Sequence, residues 1–264
     1  MLRWKEERQG ETALLIEGAR RIGKSTIVEE FAKNEYSSYI LVDFSKTATE
    51  INDLFNDLSD LNYIFLRLQL NYNVSLKERK SLIIFDEVQN NPKARQAIKH
   101  LVKDHRYDYI ETGSLISIRK NVQNIIFPSE ETRITMHPMD FEEFRWAMGD
   151  NVSFTLLKTV LEKKQPLGEA IHRKLMRDFR LYMLVGGMPQ AVDKYIKTND
   201  LSAVDTVKRD IIALYEEDLR KIDTSGKATA MFDAIPSQLS KNASRYTIST
   251  VIPGEKQDRI IDIV

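Results

Sequence analysis

An eight-residue stretch near the start of the chain combines glycine, lysine and serine at a spacing suited to phosphate binding. It reads Gly18-Ala19-Arg20-Arg21-Ile22-Gly23-Lys24-Ser25, the pattern G-x-x-x-x-G-K-[ST]. Glycines let the backbone turn its N–H groups toward phosphate oxygens, and a following helix presents its positive N-terminal end to the same anion. Lys24 then reaches the β- and γ-phosphates, and Ser25 offers a hydroxyl ligand to Mg²⁺. Together with the next residue, Thr26, this stretch predicts a site for ATP or a close relative with Mg²⁺. The alternative is that the pattern occurs by chance.

Two carboxylates, Asp86 and Glu87, directly follow the apolar run 81–85. Asp86 at the end of a strand suits the second partner of Mg²⁺, through water. Glu87 suits polarisation of an attacking water as a general base. Alone, the pair would be interpreted as a surface Asp-Glu that caps the next helix. Beside the glycine-rich stretch, it favours the Mg²⁺ and water roles, and therefore hydrolysis.

A third polar group, Thr112-Gly113-Ser114, ends the next apolar run along the chain. Thr112 or Ser114 is suited to hydrogen-bond a γ-phosphate or the attacking water. A Thr-Gly-Ser turn explains the same residues, because turns favour these residue types. The position after the strand that follows the acidic pair favours the role in the site.

The elements that must position these groups are short apolar runs alternating with helical patterns. Continuous apolar runs are typical of strands buried on both faces of a parallel sheet. The predicted strands are 13–16, 39–42, 81–85, 107–110 and 133–136. After Phe141 the predicted helices are 154–164, 168–185, 189–198, 201–221 and 228–240. The sequence therefore predicts an α/β fold with helices on both faces of a parallel sheet, followed by a helical region, with the strand ends meeting at one edge.

Composition excludes several kinds of protein. The 39 basic and 39 acidic residues give a formal net charge of zero, without the basic excess usual in proteins built to hold nucleic acid. The absence of cysteine excludes disulfides, thiolate ligands and cysteine nucleophiles. No apolar run approaches the ~18 residues needed to span a bilayer, and the charged N-terminus lacks the apolar region of a signal peptide. We expect a cytoplasmic protein with no membrane partner and, because the chain ends in an apolar helical pattern, a fragment of a longer protein.

With these three motifs in order, the sequence resembles the AAA+-like ATPases of the additional-strand P-loop class. More narrowly, it resembles a prokaryotic group related to the STAND and origin-recognition ATPases, whose members add a C-terminal domain of unknown function. The resemblance rests on 18–25, 84–89 and 112–114, and the stretches 138–144 and 182–189 also fit the group. It covers residues 1 to about 220 well and the tail less securely.

The resemblance implies three parts. Residues 1–140 would be a P-loop ATPase core with a five-stranded sheet and the loop strand near its centre. Residues 141–222 would be a helical lid, and 223–264 the start of an incomplete winged-helix-type domain. It also implies the sensor position for Thr112 and Ser114, and a nucleotide-contacting lid motif for Gly187 and Pro189. A helix break made by glycine and proline explains the last two residues equally well.

Other roles stay open at this point. Arg119, Arg133 and Arg145 are candidates for an arginine finger, although a surface salt bridge is the favoured role of each alone. Many relatives assemble so that one subunit completes its neighbour's site, so self-association is possible here. Trp4 suits a position beside adenine and a place in a small core equally well.

The leading interpretation is Mg²⁺-dependent ATP binding and hydrolysis that couples nucleotide state to motion of the lid, with an unknown protein client. A GTPase is disfavoured because no predicted strand is followed by Asn-Lys-x-Asp, and a small-molecule kinase fits the acidic pair less well. A nucleotide-binding switch with little turnover stays open. DNA binding through a winged-helix region also stays open, and it rests on analogy alone.

Overall fold

The computed structural model describes residues 1–8, 10–114, 130–240 and 246–254. The strands of its sheet are β1 (Ala13–Gly18), β2 (Ser38–Asp43), β3 (Ser81–Asp86), β4 (Asp108–Ser114) and β5 (Glu131–Met136). The described α-helices are α1 (Leu2–Arg8), α2 (Lys24–Glu35), α3 (Thr49–Asp53), α4 (Leu61–Tyr72), α5 (Pro92–Asp104), α6 (Phe141–Ala147), α7 (Ser153–Glu162), α8 (Glu169–Val185), α9 (Pro189–Thr198), α10 (Leu201–Ile222), α11 (Lys227–Asp233) and α12 (Ile235–Leu239). The predicted α/β fold with five strands and a helical second half is confirmed.

The strands lie in the order β2-β3-β4-β1-β5, and every pairing is parallel. β4 therefore stands as an additional strand between β1, which leads into the glycine-rich loop, and β3, which leads into the acidic pair. β4 is the middle strand of the five and β1 lies directly beside it, in agreement with the expected place of the loop strand near the centre of the sheet. Because all strands run the same way, their carboxyl ends share one edge, where ligands of such sheets bind.

Helices cover both faces of the sheet, as its continuous apolar strands require. Successive side chains of a strand point to opposite faces. On β3, Ile84 packs with Val28 of α2 on one face, and Ile83 packs with Ile98 of α5 on the other. The sheet edge that carries the site is thus held between two separate apolar layers.

Trp4 of α1 belongs to the core on the α2 face. Its side chain is buried, and its indole N–H donates to the Thr12 carbonyl oxygen at 3.1 Å. An indole that is packed and hydrogen-bonded in this way belongs to the core. The structure therefore decides against a position beside adenine.

A buried ionic cluster lies on the α5 face of the sheet. The Arg95 guanidinium lies 3.4 Å from Glu111 Oε2 of β4 and 2.9 Å from Glu131 Oε2 of β5, and all three side chains are almost completely buried. Burial raises the pKa of Glu111 well above its ordinary value; Arg95 opposes this rise and Glu131 adds to it. The direction of this shift favours the neutral form of Glu111, and the Arg95 guanidinium lies close to both carboxyl groups.

We expect Arg95→Met to lower the free energy of unfolding by about 3–5 kcal/mol, because it leaves the buried Glu131 carboxylate with only the half-exposed Arg133 as a cationic partner among the described residues. Glu111→Gln places a neutral group of the same shape there, and because the raised pKa of Glu111 favours its neutral form, the change should cost no more than about 1 kcal/mol at pH 7. Urea unfolding of both variants measures the difference. Arg3→Met is the control, since it removes only the exposed pair of Arg3 and Glu7. Equal losses in Arg95→Met and Arg3→Met would contradict the expectation.

The chain divides into two compact units, Met1–Pro189 and Gln190–Val264. The described part of the second unit is helical, and the Tyr215 ring of α10 lies 6.2 Å from the Phe232 ring of α11 in an edge-on contact. The boundaries predicted near residues 140 and 222, and the winged-helix character of 223–264, stay predictions. None of the described helices combines the length and apolarity that crossing a membrane demands.

Candidate functional site

The loop between β1 and α2 is shaped by its two glycines. A Cβ added at Gly18 would lie 2.3 Å from the Met136 carbonyl oxygen of β5, so only glycine fits there. Gly23 has a φ of 92°, in the left-handed region that favours glycine. It occupies the N-cap of α2, and in the described structure no side chain caps the helix at that position. The first N–H groups of α2 are therefore directed toward the place where an anion would bind.

Lys24 is held inside this loop. Its side chain is buried, and its Nζ donates to the carbonyl oxygens of Gly18 at 3.2 Å and Ala19 at 2.8 Å. Burial lowers the pKa of Lys24, while the Glu87 and Asp86 carboxylates act to raise it and Arg20 lowers it further. Phosphate oxygens are stronger acceptors than backbone carbonyl oxygens, so the chemistry of this buried cation suits an anionic ligand.

The side chains of the other loop residues differ in their surroundings. Ile22 is buried, so its contribution to the loop is its backbone. Arg20 is half-buried, whereas Ala19, Arg21 and Thr26 are exposed. Arg21 adopts a φ of 66°, which is uncommon for a residue with a side chain.

Three elements meet at the carboxylate of Asp86. Its Oδ1 accepts hydrogen bonds from Ser25 Oγ at 2.7 Å and from Thr112 Oγ1. Thr112 Oγ1 in turn accepts the backbone N–H of Glu87 at 3.3 Å. The predicted loop, acidic pair and strand tip therefore converge, because α2, β3 and β4 bring them to the same edge. Hydroxyl and carboxylate oxygens are the ligands Mg²⁺ prefers, so the oxygens of Ser25 and Asp86 fit that ion.

Glu87 begins the turn after β3 with an unusual backbone. Its φ of 54° and ψ of 45° are left-handed, which costs a non-glycine residue of order 1–3 kcal/mol. Its carboxylate Oε2 accepts a hydrogen bond from Nε2 of Gln89. Gln89 belongs to the stretch 84–89 that carries the family resemblance, but the sequence assigned it no role. The contact with Glu87 depends on a turn of the chain that the spacing of two residues does not reveal.

Ser114 and Pro189 also lie beside the loop. Ser114 ends β4 as the register partner of Gly18. Pro189 Cγ lies 3.8 Å from the position a Cβ would take at Gly23. Gly187 anchors this segment: a Cβ there would lie 2.1 Å from the Met139 carbonyl oxygen, and the Met139 N–H donates to the Gly187 carbonyl at 2.8 Å. The Gly-x-Pro segment is thus tied down next to the phosphate loop.

The chain matches the models of two protein families. The family model described as "AAA domain" matches residues 10–145, more than half of the chain. The chain belongs to the AAA domain family. The matched range contains the glycine-rich loop, the acidic pair and the tip of β4. A second model, a domain of unknown function (DUF8612), matches residues 176–258 and agrees with the expected C-terminal domain of unknown function. AAA domains are nucleotide-binding ATPase domains, so the general class predicted from the three motifs is confirmed.

Solved structures resemble this AAA domain protein only distantly. ORC1 of Aeropyrum pernix, solved in complex with DNA, is 11% identical with a TM-score of 0.38, and the match covers 99% of this chain and 82% of that one. PCH-2 of C. elegans is 10% identical with a TM-score of 0.41, and the match covers 77% of this chain and 62% of that one. Hsp104, solved in a closed state with ATPγS and FITC casein, is 12% identical with a TM-score of 0.42, and the match covers 88% of this chain and 48% of that one. The chain thus spans less than two thirds of the last two. No curated protein matches the sequence.

The candidate finger arginines of this AAA domain are engaged elsewhere in the described structure. Arg145 forms ion pairs with Asp150 and Asp178, as the favoured salt-bridge role predicts, but it is buried and does not lie at the surface. Arg133 lies 2.6 Å from Glu131 Oε1 in a half-exposed pair. Arg119 lies outside the described residues. Neither described candidate is presented as a free charge to a neighbouring subunit.

Proposed function

We propose that this chain binds ATP together with Mg²⁺ and hydrolyses it. The observation that carries the proposal is the convergence on Asp86, where hydroxyls from α2 and β4 meet one carboxylate oxygen beside the uncapped start of α2. An Asp-Glu pair that served only to cap the next helix would not require hydrogen bonds from the Ser25 and Thr112 hydroxyls. The buried cation of Lys24 in the same loop adds the positive charge that a triphosphate requires.

Each residue then has a distinct task. The α2 N–H groups and Lys24 hold the β- and γ-phosphates, and Ser25 with Asp86 holds Mg²⁺. The ion that Ser25 and Asp86 would hold would supply positive charge beside the phosphates. Glu87 accepts a proton from the attacking water, and Thr112 fixes both Asp86 and the Glu87 backbone relative to the phosphates. Ser114 beside Gly18 and Pro189 beside Gly23 complete the proposed site, and Pro189 would link nucleotide state to movement of the helical region.

Phosphate release from ATP and GTP, each with Mg²⁺ and with EDTA, tests this proposal. We expect release from ATP that requires Mg²⁺ and is weaker with GTP. Nucleotide binding is measured in parallel with a fluorescent ATP analogue. Absence of both binding and release would overturn the proposal.

Ser25→Ala removes a proposed hydroxyl ligand of the ion and should raise the Mg²⁺ concentration needed for half-maximal turnover by at least about 10-fold. This magnitude takes the lost contact to be worth as much as a hydrogen bond to a charged group, about 1.5–3 kcal/mol. Titration of Mg²⁺ at saturating ATP measures this change. Ser37→Ala is the matched control, because Ser37 lies before β2, at the opposite end of the strands, where its exposed hydroxyl donates to the Lys80 carbonyl. An unchanged Mg²⁺ requirement in Ser25→Ala would contradict its role as a ligand.

A second candidate is a nucleotide-binding switch with little turnover. The ion pairs of Arg133 and Arg145 favour it, because they engage the two described candidates for an arginine finger. Tight ATP binding with negligible phosphate release would support the switch. Self-association, a protein client and DNA contact through residues 223–264 stay predictions from the sequence.

A further inference from the structure

We infer that Gln89 is a positioning residue for Glu87: its side-chain amide holds one oxygen of the Glu87 carboxylate so that the other oxygen faces the attacking water. The inference rests on the proposed function, because it assigns Glu87 the water. It adds a residue to that site to which the sequence motifs gave no task.

The backbone around Gln89 is fixed on both sides. Residues Val88–Asn90 form a 3₁₀ turn directly after Glu87. The Asn90 N–H donates to the Glu87 carbonyl at 3.0 Å, and the Asn91 N–H donates to the Val88 carbonyl at 3.0 Å. Val88 is completely buried in the core. The turn therefore cannot shift freely, and it sets the Gln89 side chain relative to Glu87.

The Glu87 side of the contact is also constrained. Its backbone N–H donates to Thr112 Oγ1, and its left-handed conformation turns the chain back at this residue. That conformation is uncommon for glutamate, and strained backbone of this kind concentrates at functional sites. Here it brings the two side chains together, so that Nε2 of Gln89 meets Oε2 of Glu87.

The chemistry of an amide suits this task. Gln89 is buried, so its N–H is not exchanged readily for water. A neutral donor orients the carboxylate without adding a charge, whereas a lysine at this place would neutralise the base. Glu87 has two oxygens, so one can be held while the other accepts a proton from water. An unheld glutamate spreads over several rotamers, and misplacement by about 1 Å can cost about 100-fold in rate.

Steady-state ATP hydrolysis by single and double variants tests the inference. We expect Gln89→Leu to lower kcat by about 10-fold with KM and nucleotide Kd within about 2-fold of the wild type, since positioning acts on the reaction and not on binding. Gln89→Glu keeps the size but repels Glu87, so it should lower kcat at least as much. The matched control is Gln96→Leu, an exposed glutamine of α5, which should leave all three quantities unchanged.

A double-variant cycle separates positioning from mere packing. In a Glu87→Gln background, Gln89→Leu should cause no further loss of kcat, because both changes remove the same function. An unchanged or increased kcat in Gln89→Leu would overturn the inference. So would a loss of kcat that adds fully to that of Glu87→Gln, or one accompanied by an equal loss of nucleotide affinity and thermal stability.

A spectroscopic measurement tests the contact between Gln89 and Glu87 without turnover, so failure of this contact is distinguished from failure of the proposed hydrolysis. The side-chain amide resonances of Gln89 in a ¹H–¹⁵N spectrum are assigned by their absence from Gln89→Leu. Glu87→Ala should move them, because it removes the acceptor, whereas Glu30→Ala should not. Resonances that stay in place in Glu87→Ala would show that the contact does not exist in solution.

Discussion

Lys24→Ala is expected to weaken ATP binding by about 10- to 100-fold, since charge-assisted hydrogen bonds are worth about 1.5–3 kcal/mol each. The variant is expected to remain folded. Lys24 is a buried cation whose described partners are two backbone carbonyls of its own loop. Removing it relieves the cost of burial, so the melting temperature without nucleotide should stay the same or rise. The increase in melting temperature caused by ATP should be lost.

Fluorescent ATP titration and thermal unfolding with and without ATP measure the two effects. Lys33→Ala is the matched control, because Lys33 lies on the same helix but is exposed and pairs with Glu29 and Glu30. A Lys24→Ala variant that binds ATP like Lys33→Ala would exclude Lys24 from the phosphate site. A variant that melts far below the wild type would instead assign Lys24 a structural role.

The direction of the pKa of Lys24 adds a dependence on pH. Burial lowers this pKa below the ordinary value of 10.5. Between the lowered pKa and 10.5 the unfolded chain holds the proton more firmly, so the stability of the nucleotide-free protein rises with pH in that window. Affinity for ATP should fall in the same window, because the loop loses its cation. The fall in affinity should be missing from Lys24→Ala.

Glu87→Gln is expected to lower phosphate release by about 100- to 10,000-fold, the usual contribution of a general base. ATP binding should stay within about 2-fold of the wild type, since the change removes an interaction made only in the transition state. Glutamine keeps the shape of the side chain and its carbonyl can still accept from Gln89, but it cannot take a proton from water. Single-turnover phosphate release and fluorescent ATP binding measure the two quantities. Glu30→Gln, an exposed change on α2, is the control.

The two variants together discriminate between the proposed functions. A hydrolase loses binding in Lys24→Ala and turnover alone in Glu87→Gln. A switch loses binding in Lys24→Ala, but its wild type already releases too little phosphate for Glu87→Gln to matter. Full turnover in Glu87→Gln would show that another group accepts the proton of the attacking water.

The C-terminal unit bears on a different question. Within the described residues it is helical, and a domain of unknown function matches much of it. Its partners stay a matter for experiment: an ATP-dependent change in molecular mass would support self-association, and DNA binding with a steep dependence on salt would support the predicted nucleic-acid role.

The sequence by itself predicted the sheet, the helical second half and the main candidate residues. Strands buried on both faces must be continuously apolar, so 13–16 and 81–85 could be recognised locally. The phosphate loop depends on the local conformation of glycines between a strand and a helix, which a short pattern encodes. A parallel sheet then requires that Lys24 and Asp86 meet at one edge.

Only the tertiary structure decided the contacts that depend on where distant segments pack. It placed Thr112 against Asp86 because β4 is inserted between β1 and β3. It buried Trp4 and Arg145, since burial depends on neighbours that composition cannot reveal. It brought Gln89 to Glu87 through one left-handed residue. Pattern and propensity are local properties of a chain, whereas side-chain partners are set by the packing of elements far apart in sequence.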